Sequence, residues 1–109
     1  MNLWVFALRF YKEIAKFIKK LKNKFKPDKI ILFGSRAKGE EWNRSDYDFI
    51  IVSSKFEGMH WLNRISKIVS LWDNLSDIDV LVYTPKEFKE KKKDSSVVRE
   101  AVRHGVSLA

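Results

Sequence analysis

The chain has no cysteine, so neither a disulfide framework nor a thiolate metal site can be built from it. That absence fits a reducing cytoplasm. Glycine and proline are scarce, at four and two residues, and the glycines lack the spacing of a P-loop. Long apolar runs are missing too. The start, Leu3-Trp4-Val5-Phe6-Ala7-Leu8, is too short to span a bilayer and lacks the charged leader and cleavage site of a signal peptide. Asparagine and glutamine are few while lysine and glutamate are abundant, a weak sign of heat adaptation. There is no zinc finger, solenoid period or low-complexity segment. No Ser-His-Asp or Cys-His set can be assembled either. His60 and His104 have nothing to pair with and read as surface or capping histidines.

What is present is a packed, charged chain. At 109 residues, 45% of them hydrophobic, it is expected to form one domain over 1–109 with one core. Basic residues outnumber acidic ones, 22 against 14, for a net charge of +8. Such a surface attracts nucleotides, nucleic acid or acidic proteins, or is simply a solvated exterior.

Two continuous apolar runs, Ile30-Ile31-Leu32-Phe33 and Phe49-Ile50-Ile51-Val52, read as buried strands over about 29–33 and 47–52. A third strand is expected at 78–83. The first helix spans about 2–25, with Phe6, Phe10, Ile14, Phe17, Ile18, Leu21 and Phe25 at three- and four-residue steps. Pro27-Asp28 ends it. Its first turns are apolar nearly all round, which suits either contact with a second subunit, as in a homodimer, or burial under the core. A second helix is expected over about 59–73, with Leu62, Ile65, Ile68, Val69 and Trp72 on one stripe. Thr84-Pro85-Lys86-Glu87 starts a third through a capping box with proline at the first position. The last begins at Asp94 or Ser95, buries Val98, Ala101 and Val102, and stops at Gly105. The fold class is therefore α/β (α+β), a mixed sheet of three or more strands against helices.

The stretch between the first two strands carries the chemistry. It opens with Gly34-Ser35-Arg36-Ala37-Lys38-Gly39 and closes with Ser45-Asp46-Tyr47-Asp48. Side chains two apart on a strand share a face, so Asp46 and Asp48 point the same way. Aligned carboxylates beside a Gly-Ser turn suit a hard divalent cation carrying a phosphate. Gly34 lets the backbone approach a phosphate, and Ser35 offers a hydroxyl and an amide at a helix start. Arg36 and Lys38 can neutralise further phosphate charge. A two-metal phosphoryl-transfer site needs a third carboxylate. The echo Ser76-Asp77-Ile78-Asp79 supplies two candidates. Asp79 is preferred because it lies between Ile78 and Val80, where a carboxylate is costly unless it binds something. Trp42 and Tyr47 flank the stretch, and Tyr47 reads as a packing residue.

Gly34-Ser35, ten residues, then Asp46-x-Asp48 resembles the signature of the DNA polymerase beta-like nucleotidyltransferase superfamily. The form Gly-Ser-Arg-Ala-Lys-Gly…Ser-Asp-x-Asp is similar to its minimal nucleotidyltransferase (MNT) branch. The likeness extends from the leading helix to Gly105. It implies that Asp46 and Asp48 hold two Mg²⁺ ions, with Asp79 joining on the ion that activates the acceptor. Gly34 and Ser35 would bind the β/γ phosphates of ATP. Members of this branch commonly pair with HEPN-domain toxins as antitoxins, neutralising them by transferring AMP to a tyrosine hydroxyl. That makes a HEPN-type protein the expected partner. Superfamily members acting on drugs or nucleic acids generally carry further domains, for which 109 residues leave no room, so a protein acceptor is preferred. The alternatives are transfer to a small molecule or RNA end, and a non-catalytic module that only blocks its partner.

Overall fold

The computed structural model describes residues 3–34, 47–74 and 77–109. Along the chain run α1 (Leu3–Phe25), β1 (Lys29–Phe33), β2 (Tyr47–Val52), a 3₁₀ turn (Ser54–Phe56) and α2 (Trp61–Val69). They are followed by β3 (Ile78–Tyr83), α3 (Pro85–Asp94), α4 (Ser96–His104) and β4 (Val106–Ser107). The strands form one sheet in the order β3-β2-β1-β4. It is mixed: β1 runs antiparallel to β2 and β4, while β2 and β3 are parallel.

The strand runs are continuously apolar because both faces of the sheet are covered. Tyr47, Phe49 and Ile51 of β2 face α1 and α2, packing with Ile14, Phe17, Leu21 and Ile68. Ile50 and Val52 face the other way, onto Phe88 of α3 and Val98 and Ala101 of α4. Aromatic edges tighten the first layer: the Phe17 ring lies 5.3 Å from Phe49 and 5.0 Å from Trp72. Each such buried side chain stabilises the fold by roughly 1.5–3 kcal/mol.

The end of α1 is fixed locally. Lys26 takes the left-handed conformation (φ 45°), its N–H donates to the Lys22 carbonyl at 3.2 Å, and Pro27 prevents continuation. The orphan carbonyl of Phe25 accepts the buried Ser53 hydroxyl at 2.5 Å. That bond ties the helix to the end of β2.

Three expectations are corrected. The second helix is 61–69 rather than 59–73. His60 is extended and caps it, Nδ1 accepting the Leu62 N–H at 3.2 Å, and Ser70 closes it. Its apolar stripe is also wrong in part: Ile68 is buried, but Leu62 and Val69 are exposed, and the charged Arg64 is buried in their place. The inward face runs through Arg64 and Ile68 because Arg64 has partners there. Its guanidinium donates to the Val82 carbonyl at 3.3 Å and to both Glu87 carboxylate oxygens, at 2.5 and 3.2 Å. The third correction is Val102, which is 45% exposed; one residue past Ala101, it is rotated about 100° off the inward face.

The capping box of α3 is as expected. Thr84 Oγ1 accepts the Glu87 N–H at 3.2 Å, and Glu87 accepts the Thr84 N–H at 2.8 Å. α4 is capped by Ser95 and ends at Gly105. A Cβ on Gly105 would strike the Ala101 carbonyl and lie 2.7 Å from Ile31 Cγ2. Glycine therefore lets the chain turn against β1 and add β4, a strand not foreseen.

Candidate functional site

The antiparallel β1–β2 pair sets Phe33, the last residue of β1, opposite Asp48. Gly34 follows with φ +78°, a left-handed conformation that favours glycine. A second reason for glycine is space. A Cβ at Gly34 would lie 2.5 Å from Asp48 Oδ2 and 3.4 Å from its Cγ. The turn at the end of β1 and the carboxylate at the start of β2 are thus in direct apposition.

The parallel β2–β3 pair adds the second carboxylate. Its register runs from Tyr47↔Ile78 to Val52↔Tyr83 and matches Asp48 with Asp79. Residues in register on neighbouring strands share a face, so the two carboxylates lie side by side. They occupy the face of Ile50 and Leu81, toward α3 and α4, at the end of the sheet where Gly34 turns. Like charges directly opposite one another oppose folding unless something of opposite sign offsets them.

Gly34 just past β1, Asp48 of β2 and Asp79 of β3 thus form a row at one end of the sheet. Ser35, Arg36, Lys38 and Asp46 lie outside the described residues, as does Trp42. Asp79 is exposed rather than enclosed between its apolar neighbours, because Ile78 and Val80 face the opposite side of the strand. The cost of burial therefore does not explain its presence; its register with Asp48 distinguishes it. Asp77 is also exposed, and its backbone carbonyl accepts the Tyr47 N–H at 3.0 Å. Tyr47 is fully buried, its ring 5.1 Å from Trp72.

A cleft of about 310 Å³ adjoins the row on its Gly34 side. Phe33 and Gly34 form one wall and Ser96, Val97, Glu100 and His104 of α4 another. His104 Nε2 lies 3.3 Å from Glu100 Oε2. None of these α4 side chains is adjacent in sequence to the Gly34–Asp48 stretch. The four-residue spacing of Ser96, Glu100 and His104, a polar stripe on one helix face, was the available signal.

The donor set fits a hard divalent cation. Two carboxylates in register supply oxygen ligands of the kind Mg²⁺ prefers, and the missing Cβ of Gly34 lets the Asp48 carboxylate lie against the turn. Among the described residues no cluster of three His, Cys, Asp or Glu side chains is assembled. Nor is any described helix long and apolar enough to cross a membrane.

Fold and row together define a class, a mixed α/β domain presenting aligned carboxylates opposite a glycine turn. The family model "Polymerase beta, Nucleotidyltransferase" matches residues 15–108, and the chain belongs to that family. A crystal structure of a candidate nucleotidyltransferase from Sulfolobus solfataricus superposes with a TM-score of 0.64 at 18% identity, covering 94% of this chain and 81% of that one. BolA1 from Arabidopsis thaliana gives 0.57 at 20% identity, over 69% of this chain and 94% of its own. Both likenesses concern the fold alone. No curated protein matches the chain.

Proposed function

We propose that the protein is a Mg²⁺-dependent nucleotidyltransferase that moves AMP from ATP to a hydroxyl of a partner protein. The acceptor in this reading is a tyrosine of a HEPN-type toxin, with this chain as the antitoxin. The observation that carries the catalytic part is the register of Asp48 with Asp79 beside Gly34. The partner and the antitoxin role rest on the resemblance of Gly34-Ser35-Arg36-Ala37-Lys38-Gly39 and Ser45-Asp46-Tyr47-Asp48 to the minimal branch.

In this reading Asp46, Asp48 and Asp79 hold two Mg²⁺ ions. Gly34 and Ser35 receive the β/γ phosphates, and Arg36 and Lys38 neutralise further charge. The ions supply charge neutralisation and alignment of the attacking and leaving oxygens. Gly34 presents backbone without a side chain, so a phosphate can come close to Asp48. The acceptor oxygen bonds to the α-phosphorus as the bond to the bridging oxygen breaks. Pyrophosphate leaves and the hydroxyl proton passes to water. No side chain of the protein becomes covalently modified.

The test is incubation of the purified protein with α-labelled ATP, Mg²⁺ and a HEPN-type protein from the same source. Label on a partner tyrosine with wild type, and none with Asp48→Ala, is expected. Equal absence of label in both would overturn the reading. A second acceptor, an RNA end, is favoured only by the net charge of +8. An RNA oligonucleotide in the same assay separates the two.

A further inference from the structure

The row of Gly34, Asp48 and Asp79 has two unlike flanks. Beyond Gly34 the sheet continues: β4 pairs with β1 through Leu32↔Val106, and α4 walls the cleft. Beyond Asp79 no further strand follows among the described residues, where β3 is the edge strand. The ladder shows which backbone groups of that edge are in use. The Tyr47 N–H donates to the Asp77 carbonyl and the Ser53 N–H to that of Tyr83, each at 3.0 Å. In a parallel pair this turns the odd-numbered residues of β3 toward β2. Ile78, Val80 and Val82 turn their N–H and C=O groups outward. The Val82 carbonyl accepts from Arg64. Among the described residues no strand lies beside Ile78 or Val80. Two features blunt this edge only in part: Arg64 of α2 covers it at Val82, and Asp79 is its one charge. Ile-Asp-Val-Leu-Val-Tyr contains no proline or lysine, and its register is unbroken.

We infer that the acceptor enters as an extended segment of the partner, adding to β3 as a fifth strand and pairing its backbone with Ile78 and Val80. The inference rests on the reading above, that the acceptor is a protein hydroxyl, and adds how that hydroxyl is presented. An added strand lies about 4.8 Å from its neighbour, with side chains in register on a common face. The residue opposite Asp79 therefore arrives on the face of Asp48 and Asp79. A slip of one residue sends it to the α2 side instead. Main-chain bonding holds segments of many sequences, while this parity selects where the hydroxyl must fall. The chain's charge of +8 favours a segment of net negative charge, with its acidic side chains off the face of Asp77 and Asp79, which would repel them. The chemical step is unchanged: the acceptor oxygen bonds to phosphorus, pyrophosphate leaves and the proton goes to water.

The experiment uses the full chain with Mg²⁺ and ATP, and a short synthetic peptide of alternating valine and glutamate in which tyrosine replaces one central valine. Amide hydrogen exchange is followed residue by residue. The peptide is expected to slow exchange at Ile78 and Val80 about tenfold or more, while Asp79, already bonded to β2, changes little. Val80→Pro removes an outward N–H and no ladder bond, which an edge strand tolerates, and abolishes the effect. Two N-methylated peptides guard against misfolding of that variant. Methyl groups on the N–H groups facing β3 are expected to abolish protection, and those on the opposite edge to leave it intact. Unchanged exchange at Ile78 and Val80, equal behaviour of the two methylated peptides, or protection by an RNA oligonucleotide instead overturns the inference. AMP on the peptide tyrosine is measured in the same samples. Protection without transfer keeps the docking mode and removes the transferase reading, whereas transfer without protection removes the docking mode alone.

Discussion

Asp48 and Asp79 are in-register partners in neighbouring parallel strands, thirty-one positions apart in sequence, with their side chains on one face. No local rule of sequence brings them together; the crossover through α2 does.

Replacing either carboxylate with its amide is the first expected loss. Asp48→Asn and Asp79→Asn should each lower nucleotidyl transfer at least about a hundredfold, about 2.7 kcal/mol of barrier. Asp79 is exposed, so its amide should change unfolding free energy by no more than about 0.5 kcal/mol. Transfer assays beside chemical denaturation separate the two quantities.

Gly34→Ala should be worse than a surface alanine on two counts. The left-handed backbone at φ +78° costs about 1–2 kcal/mol with a Cβ present. That Cβ would also lie 2.5 Å from Asp48 Oδ2 and displace the carboxylate. A lower melting temperature together with a loss of transfer is expected. Full activity at reduced stability would show that the apposition is only structural.

Arg64 links three elements, so Arg64→Ala should destabilise by about 2–3 kcal/mol, measured by urea unfolding. It removes hydrogen bonds to the Met59 and Val82 carbonyls and to Glu87. Arg64→Lys should recover little, since an ammonium cannot reproduce the bidentate grip on Glu87.

The same pair sets an acid limit on stability. The hydrogen bond from Arg64 holds the Glu87 carboxyl below the usual glutamate range, with burial opposing and the Thr84 N–H assisting. A depressed folded-state pKa contributes stability above the unfolded value, lost as pH falls through the folded one. Unfolding free energy should thus decline below about pH 4.3, and less steeply in Glu87→Gln. Asp73 is lowered too, first by its hydrogen bond from Lys16. That pair is exposed, so salt should erase its share and spare that of Glu87.

Much of the fold could be read from the chain because its signals are local. The runs at Ile30–Phe33 and Phe49–Val52 and the Thr84-Pro85-Lys86-Glu87 box state their structure within a few residues. What escaped was settled at a distance. Leu71 and Trp72 continue the apolar rhythm of α2, yet the helix stops at Val69 and both side chains still pack on the core. Arg64 looks like a surface residue until Glu87, twenty-three positions later, is set beside it. β4 depends on Gly105 lying against Ile31, a contact no pattern near Val106 announces. For the site, Gly34 and Asp48 belong to a short motif, whereas the apolar neighbours of Asp79 point to a burial that the strand does not give it. Register with Asp48 distinguishes it instead, and only the assembled sheet contains that register.

The most direct measurement is paramagnetic broadening of amide signals by Mn²⁺ in the presence of ATP. Gly34, Asp48 and Asp79 should broaden first and together, and Asp48→Asn should abolish the effect. Broadening centred elsewhere, or undiminished in Asp48→Asn, would contradict a cation site built on this row.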